Sequence, residues 1–208
     1  MPKVVDVAER RALIVDAVFR LVEQGGVEAA SLRNVAREAG LNVGSVRHYF
    51  ESHDALMLAA TRAMAERVTA RIEAHGERIL AAFHRADHRE LSAAVVGVYA
   101  ELLPLDERRR RECAVWLAFV ERARVSPALR PAADEMHRDV VRLTTSLLEG
   151  AGVPEARDRA ALLTIAVDGL TVAALSWPED YPPDVQQRLL AVLLRQSFAG
   201  ATALGSAG

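Results

Sequence analysis

Cysteine is nearly absent. Cys113 is the single one in 208 residues, so no disulfide can form within the chain, and a reducing compartment suits the composition. Aromatic residues are scarce at 5%, so Ala, Leu and Val must fill most of the interior. Neither sign of charge dominates: 26 Lys and Arg stand against 28 Asp and Glu, a net charge of −2. The chain as a whole therefore makes no field that would gather nucleic acid, and any basic face has to be local. Residues 1–50 hold seven cations (Lys3, Arg10, Arg11, Arg20, Arg33, Arg37, Arg47) and six anions (Asp6, Glu9, Asp16, Glu23, Glu28, Glu38), a difference of only +1.

Other absences narrow the class further. No uninterrupted apolar run approaches the roughly 20 residues that span a bilayer. Met1 to Arg11 lacks the continuous apolar stretch of a secretory leader. A cytoplasmic protein with no membrane partner is expected. No stretch alternates apolar and polar residues with a period of two, so a sheet-based core is not expected. There is no glycine-rich phosphate loop, no hydrolase elbow and no recognisable triad signature. No catalytic residue is assigned, no enzyme activity is expected, and no cofactor is called for.

What is present is helical periodicity from end to end, with 51% hydrophobic residues and a mean hydropathy of +0.08. Apolar residues recur at three and four. The first helix runs from about Val7 to Gln24, with Ala8, Leu13, Ile14, Ala17, Val18 and Leu21 on one stripe; Gly25 and Gly26 stop it. Ser31 can cap a short second helix to Ala39, ended by Gly40, and Asn42 can cap a third from Val43 to Tyr49. A long fourth helix opens at Ser52 or His53, with Gly76 expected to bend or interrupt it. The polar segment Arg85 to Arg89 reads as a loop and internal joint. Further helices are expected at about Glu90–Leu103, Asp106–Arg124, Pro127–Glu149, Pro154–Ser176 and Pro183–Ala199.

The expected fold class is all-α, with about nine to ten helices. An N-terminal three-helix helix-turn-helix domain (1–52) precedes a C-terminal helical bundle (53–200). A small-residue tail, 201–208, is expected to be disordered.

The functional signal lies between Ser31 and Phe50. Leu32, Val35, Ala36, Ala39, Leu41, Val46 and Phe50 can face one small core, and Gly40 supplies the turn between two short helices. Asn42, Gly44, Ser45, Arg47, His48 and Tyr49 remain outside. That set is short and polar enough for a helix to enter a major groove about 12 Å wide. The run from Ala39 through Gly40, Leu41, Asn42, Val43, Gly44, Ser45, Val46, Arg47, His48, Tyr49, Phe50 and Ser52 to Leu56 resembles the DNA-binding domain of TetR-family regulators. The resemblance covers about 50 residues.

The resemblance implies a double-stranded DNA operator as partner. It places Ser31, Tyr49 and His53 toward phosphates, and Arg33, Val43, Gly44, Ser45, Arg47 and His48 toward the groove, with Asn42 among the contacting positions. Arg47 stands where the family usually has Tyr, and His53 where it usually has Lys. A neutral imidazole contributes little charge, so DNA affinity is expected to fall more on Arg33, Arg47 and the N-terminal basic residues.

The C-terminal part resembles the BetI-type branch of the family through Ala114 to Glu121 and Val167 to Leu170. That resemblance implies a homodimer and a small-molecule effector, and it does not name the effector. Ile165, Gly169 and Val172, with Leu189 and Leu193, are the expected dimer-interface residues. Tyr99, Cys113, Trp116, Phe119 and Asp168 are the candidate ligand-binding residues, being large or polar within apolar helices. His84 and His88 have i,i+4 spacing, but no third ligand is predictable and no metal site is assigned. The expected function is a ligand-responsive repressor that binds a near-palindromic operator as a homodimer, and a ligand-independent DNA-binding regulator or activator is the alternative reading. A helical small-molecule-binding protein or enzyme retaining the fold is a more distant one.

Overall fold

The computed structural model describes residues 7–85 and 87–201, leaving aside the side chains of Phe83 and His88. Among the described residues there are nine helices and no strands: α1 (Val7–Ala29), α2 (Leu32–Glu38), α3 (Val43–Tyr49), α4 (His53–His84), α5 (His88–Ala100), α6 (Glu107–Ala123), α7 (Arg130–Gly150), α8 (Ala156–Ser176) and α9 (Pro183–Ser197). The protein is all-α.

Helix ends follow local chemistry. In α1 the backbone leaves helical geometry at Gly25 (φ −150°) and Gly26 (φ 68°), where the double glycine was expected to act. Gly40 takes φ 67° after α2, the Leu41 N–H reaches the Ala36 carbonyl at 2.8 Å, and the Gly40 N–H reaches that of Arg37 at 3.2 Å. This pair of bonds closes the helix through a left-handed residue that glycine adopts without a Cβ penalty.

Gly76, in contrast, does not interrupt α4. A mid-helix glycine costs only about 1 kcal/mol relative to alanine, and Ile72 and Ile79 on either side pack against a buried core. The loop expected at Arg85–Arg89 is shorter than the composition suggests. Asp87 caps α5 by accepting from the N–H groups of Arg89 and Glu90 at 3.1 and 3.0 Å, so the helix starts at His88. Pro127 lies in the turn that precedes α7, and Pro183 opens α9. Of the tail 201–208, to which disorder was assigned, Ala201 donates its N–H to the Phe198 carbonyl at 3.1 Å, and 202–208 fall outside the described residues.

The contacts divide the chain into two compact units, whose limits fall inside α4, α6 and α7. The first holds residues up to Arg67 and Arg110–Ala133; the second holds Val68–Arg109 and residues from Asp134 onward. In the first unit α2 packs against α1 and α3. Ile14, Ala17, Val18, Val35, Ala36, Val46, Phe50, Leu56 and Met57 are buried there. Each large apolar side chain among them contributes about 1.5–3 kcal/mol by leaving water.

Four charged side chains of α1 each reach a different element within this unit. Arg20 meets Glu38 of α2 at 2.6 Å, and Asp16 meets Arg67 of α4 at 2.9 Å. Glu23 meets Arg111 of α6 at 2.6 Å, and Arg11 reaches the end of α3.

The second unit is built on Val95, Val98, Tyr99, Leu103, Leu163, Val167, Leu170, Leu190 and Leu194, with α9 against both α5 and α8. Arg108 to Arg111 form a run of four arginines near the start of α6, and the first two meet carboxylates within this unit. Arg109 pairs with Asp106 at 2.8 Å and lies 3.6 Å from Glu101, which Arg108 approaches to 3.8 Å. By length and composition α8 is apolar enough to cross a membrane, although no uninterrupted apolar run does so in the sequence; it carries Asp158 and Asp168, and its face toward α9 is buried in this unit.

Candidate nucleic-acid interface

Two short helices and the turn between them form the site. Ser31 caps α2, its Oγ accepting from the Asn34 N–H at 3.3 Å. A hydroxyl accepting in this way keeps its own O–H to donate, so capping leaves Ser31 chemically able to meet a phosphate. Asn42 caps α3 through Oδ1, which accepts from the Ser45 N–H at 2.7 Å. Gly44 follows at once, and a Cβ there would come to 3.3 Å from that same Oδ1. A small residue suits both the cap and a close approach of the backbone to another surface.

The helical period then sets the outward face of α3. Val46 and Phe50 point into the core, and on the opposite side Gly44, Arg47 and His48, spaced i, i+3, i+4, are all exposed. Asn42 is exposed, while Val43, Ser45 and Tyr49 are half-buried. His48 meets the Tyr49 ring edge-on at 5.2 Å. Arg33 is exposed on α2.

His53 opens α4, half-buried, 4.0 Å from the Asp54 carboxylate. Asp54 is held in turn by Ser126 Oγ at 2.7 Å and Arg122 Nε at 2.9 Å. The Ser126 hydrogen bond, followed by the Arg122 guanidinium, outweighs partial burial and holds this carboxyl below its ordinary range.

Several contributors were not visible as sites in the sequence. Asn34 donates Nδ2 to the Ala29 carbonyl at 3.0 Å and accepts from Arg37 at 3.2 Å, so it ties the end of α1 to α2 and orients an exposed arginine. Its place three residues after a Ser cap was the available hint. Arg11 binds the Tyr49 carbonyl across 38 residues, and no local pattern announces that contact.

The candidate ligand-binding residues fall in both units. Cys113 and Phe119 are buried and Trp116 half-buried on α6 in the first. Tyr99 on α5 and Asp168 on α8 belong to the second. The Tyr99 hydroxyl is buried without a well-formed hydrogen bond; burial pushes it up to about 12, and Thr144 pulls the other way. Burial also raises the Asp168 carboxyl to about 6, with His137 pulling it down. Thr164, one turn before Asp168, has a buried hydroxyl without a hydrogen bond. Among the described residues no group of three or more metal-ligating side chains is present; His84 Nδ1 lies 2.7 Å from the Leu80 carbonyl, and the His88 side chain lies outside them.

The expected interface residues lie on α8 and α9. Ile165 is 66% exposed, as is Leu162, which the sequence reading did not single out although it stands at i−3 from Ile165. Gly169, Leu189 and Val192 are exposed too, and Val172 and Leu193 are half-buried.

A capped pair of short helices crossing at a glycine turn, with a polar outward stripe on the second, defines a helix-turn-helix DNA-binding protein. Residues 14–60 match the family model of bacterial regulatory proteins of the TetR family, and residues 91–199 match that of the BetI-type transcriptional repressor C-terminal domain. The regulator PksA of Bacillus subtilis (strain 168) is 32% identical over 194 residues, 91% of this chain and 90% of that protein. A transcriptional regulator from Rhodococcus sp. Rha1 superposes with a TM-score of 0.79 at 31% identity, covering 92% of this chain and 97% of that one. The multidrug binding protein EbrR, crystallised with malachite green, gives a TM-score of 0.63 at 30% identity over 89% and 98% of the two chains.

The chain belongs to the TetR family of transcriptional regulators, and it carries a BetI-type C-terminal domain. It is a DNA-binding regulator rather than an enzyme.

Proposed function

We propose that this regulator is a ligand-responsive repressor that binds a near-palindromic operator as a homodimer in the cytoplasm. The observation that carries the reading is the exposed stripe of Gly44, Arg47 and His48 on a helix capped by Asn42. In the groove, Arg47 would reach a guanine edge or a phosphate, and Arg33 would act from α2. Val43 and Ser45 would line the groove, with Ser31, Tyr49 and His53 toward the backbone.

Dimerisation rests on the outward face of α8 and α9. Leu162 and Ile165 are 66% exposed, Leu189 and Val192 continue the apolar surface, and a Cβ added at Gly169 would meet nothing within 4 Å. A patch of this kind calls for cover. A second copy, related by a twofold axis, would supply it and set two α3 helices roughly 34–36 Å apart, one turn of DNA.

The effector is a small molecule of unassigned identity. The buried Thr164 hydroxyl, which has no hydrogen bond, together with the buried Tyr99 hydroxyl and the half-buried carboxyl of Asp168, favours a polar ligand contact in the second unit. On α6, Cys113, Trp116 and Phe119 are the remaining candidates. The similar EbrR chain was crystallised with malachite green. Whatever its identity, the effector can shift DNA binding only by its differential affinity for the two conformations. Footprinting on the DNA upstream of its own gene tests the reading. A protected near-palindrome that reopens on addition of effector is expected; protection without symmetry at any salt concentration would refute the dimeric form.

A further inference from the structure

The helix that carries the outward stripe is only seven residues long, Val43–Tyr49. An isolated helix of that length has almost no stability of its own, so its direction is set by the packing of the buried Val46 and by whatever holds its two ends. Asn42 holds the first. The second is held from α1: Arg11 Nη1 donates to the Tyr49 carbonyl at 3.0 Å, and the guanidinium carbon lies 4.5 Å above the centre of the Phe50 ring.

The chemistry of that end suits an arginine. The last carbonyls of a helix lack intrahelical partners and carry partial negative charge, so a cation donating there gains twice. Phe50 is buried and its N–H is bonded to the Val46 carbonyl at 2.9 Å, so the ring is a fixed platform. A planar guanidinium can donate in its plane while stacking through its face; a lysine ammonium cannot do both.

A count of charges assigns Arg11 to the general attraction for DNA. We infer instead that Arg11 is a positioning residue for base recognition, holding the C-terminal end of α3 so that Arg47 and its neighbours meet the groove at one angle. This inference rests on α3 being the groove helix.

The test uses the full chain and two duplexes: the one most enriched by the unaltered protein from a randomised pool, and a scrambled version of it. Binding is followed by fluorescence anisotropy over a salt series. R11K and R11A should each weaken the selected duplex by about tenfold, the scale of one charge-assisted hydrogen bond with its stacking contact. Binding to the scrambled duplex should stay within about twofold, and the salt dependence of the selected duplex should not change, because no phosphate contact is lost.

A lysine that restores full affinity, together with an alanine that lowers the salt slope by about 0.9, would make Arg11 a phosphate contact and overturn the inference. Equal losses on both duplexes, tracking a smaller folded fraction, would also overturn it, since mere instability does not alter discrimination. If R11A does not fold, Phe50→Leu carries the test: it keeps the buried position apolar, removes the platform, and should reproduce part of the lost discrimination. R47A and R33A separate the two readings. If neither weakens the selected duplex, or if no duplex is enriched, α3 is not the reader and the role of Arg11 falls with it. If both lose discrimination while R11K does not, only the role of Arg11 falls.

Discussion

Replacing Asp168 with Asn should stabilise the protein at pH 8 and do little at pH 4. Burial raises this carboxyl from 3.8 to about 6 in the folded chain, with only the charge of His137 opposing. In the unfolded chain it returns to its ordinary value. The folded state therefore binds the proton more tightly, and stability linked to this group is fully present below about pH 4 and lost as pH rises through about 6. Each unit of difference is worth about 1.4 kcal/mol, so a gap of about two units sets a ceiling near 3 kcal/mol above pH 7. Asp168 is half-buried rather than enclosed, and solvent screening brings the expected gain from the neutral amide to about 1–2 kcal/mol.

Urea unfolding of both proteins at pH 4, 6 and 8, at one fixed chain concentration, reads this directly. The midpoint difference should grow steadily with pH in favour of the Asn variant. A constant difference across the range would show that folding does not shift this carboxyl, and a loss at pH 8 would show that the carboxylate has a stabilising partner; either would make the reasoning from desolvation wrong. Adding His137→Ala to the Asp168 protein should steepen its decline between pH 4 and 6, because the one opposing charge has gone.

Other outcomes are as specific. Asn42→Ala removes the cap of α3 and should lower stability by about 1 kcal/mol in thermal melts, while Asn42→Ser should keep most of it. Arg33→Ala and Arg47→Ala should each reduce specific DNA binding by about 1–3 kcal/mol in titrations while leaving the oligomeric state unchanged. Ile165→Glu places a charge in the exposed α8 face and should yield monomers in sedimentation velocity, with unchanged helical content. Asp54→Asn gives up a carboxyl that Ser126 and Arg122 hold below its ordinary range; its destabilisation should be present above about pH 4 and fade as acid protonates the wild-type group.

Much of the DNA-binding part was legible because its instructions are local. Ser31 and Asn42 cap helices three residues ahead of them, and Gly40 takes the one backbone conformation that most side chains resist. The period of Val46 and Phe50 against Gly44, Arg47 and His48 separates inside from outside without further information. Gly76 misled for the converse reason: its local preference is weak, and packing by Ile72 and Ile79 overrules it. The candidate ligand residues were chosen for being large or polar within apolar helices, a property that Cys113 and Phe119 share with ordinary buried core.

The sequence by itself determined the all-α class, the helix-turn-helix and its polar stripe, since each follows from contacts within about four residues along the chain. Tertiary structure alone decided which charges hold that motif in place. Arg11 reaches Tyr49 across 38 positions, Arg111 reaches Glu23 across 88, and Ser126 reaches Asp54 across 72. Arginine and carboxylate side chains carry no local mark of their partner; the pairing exists only once the helices have packed and brought the two charges within a few ångströms.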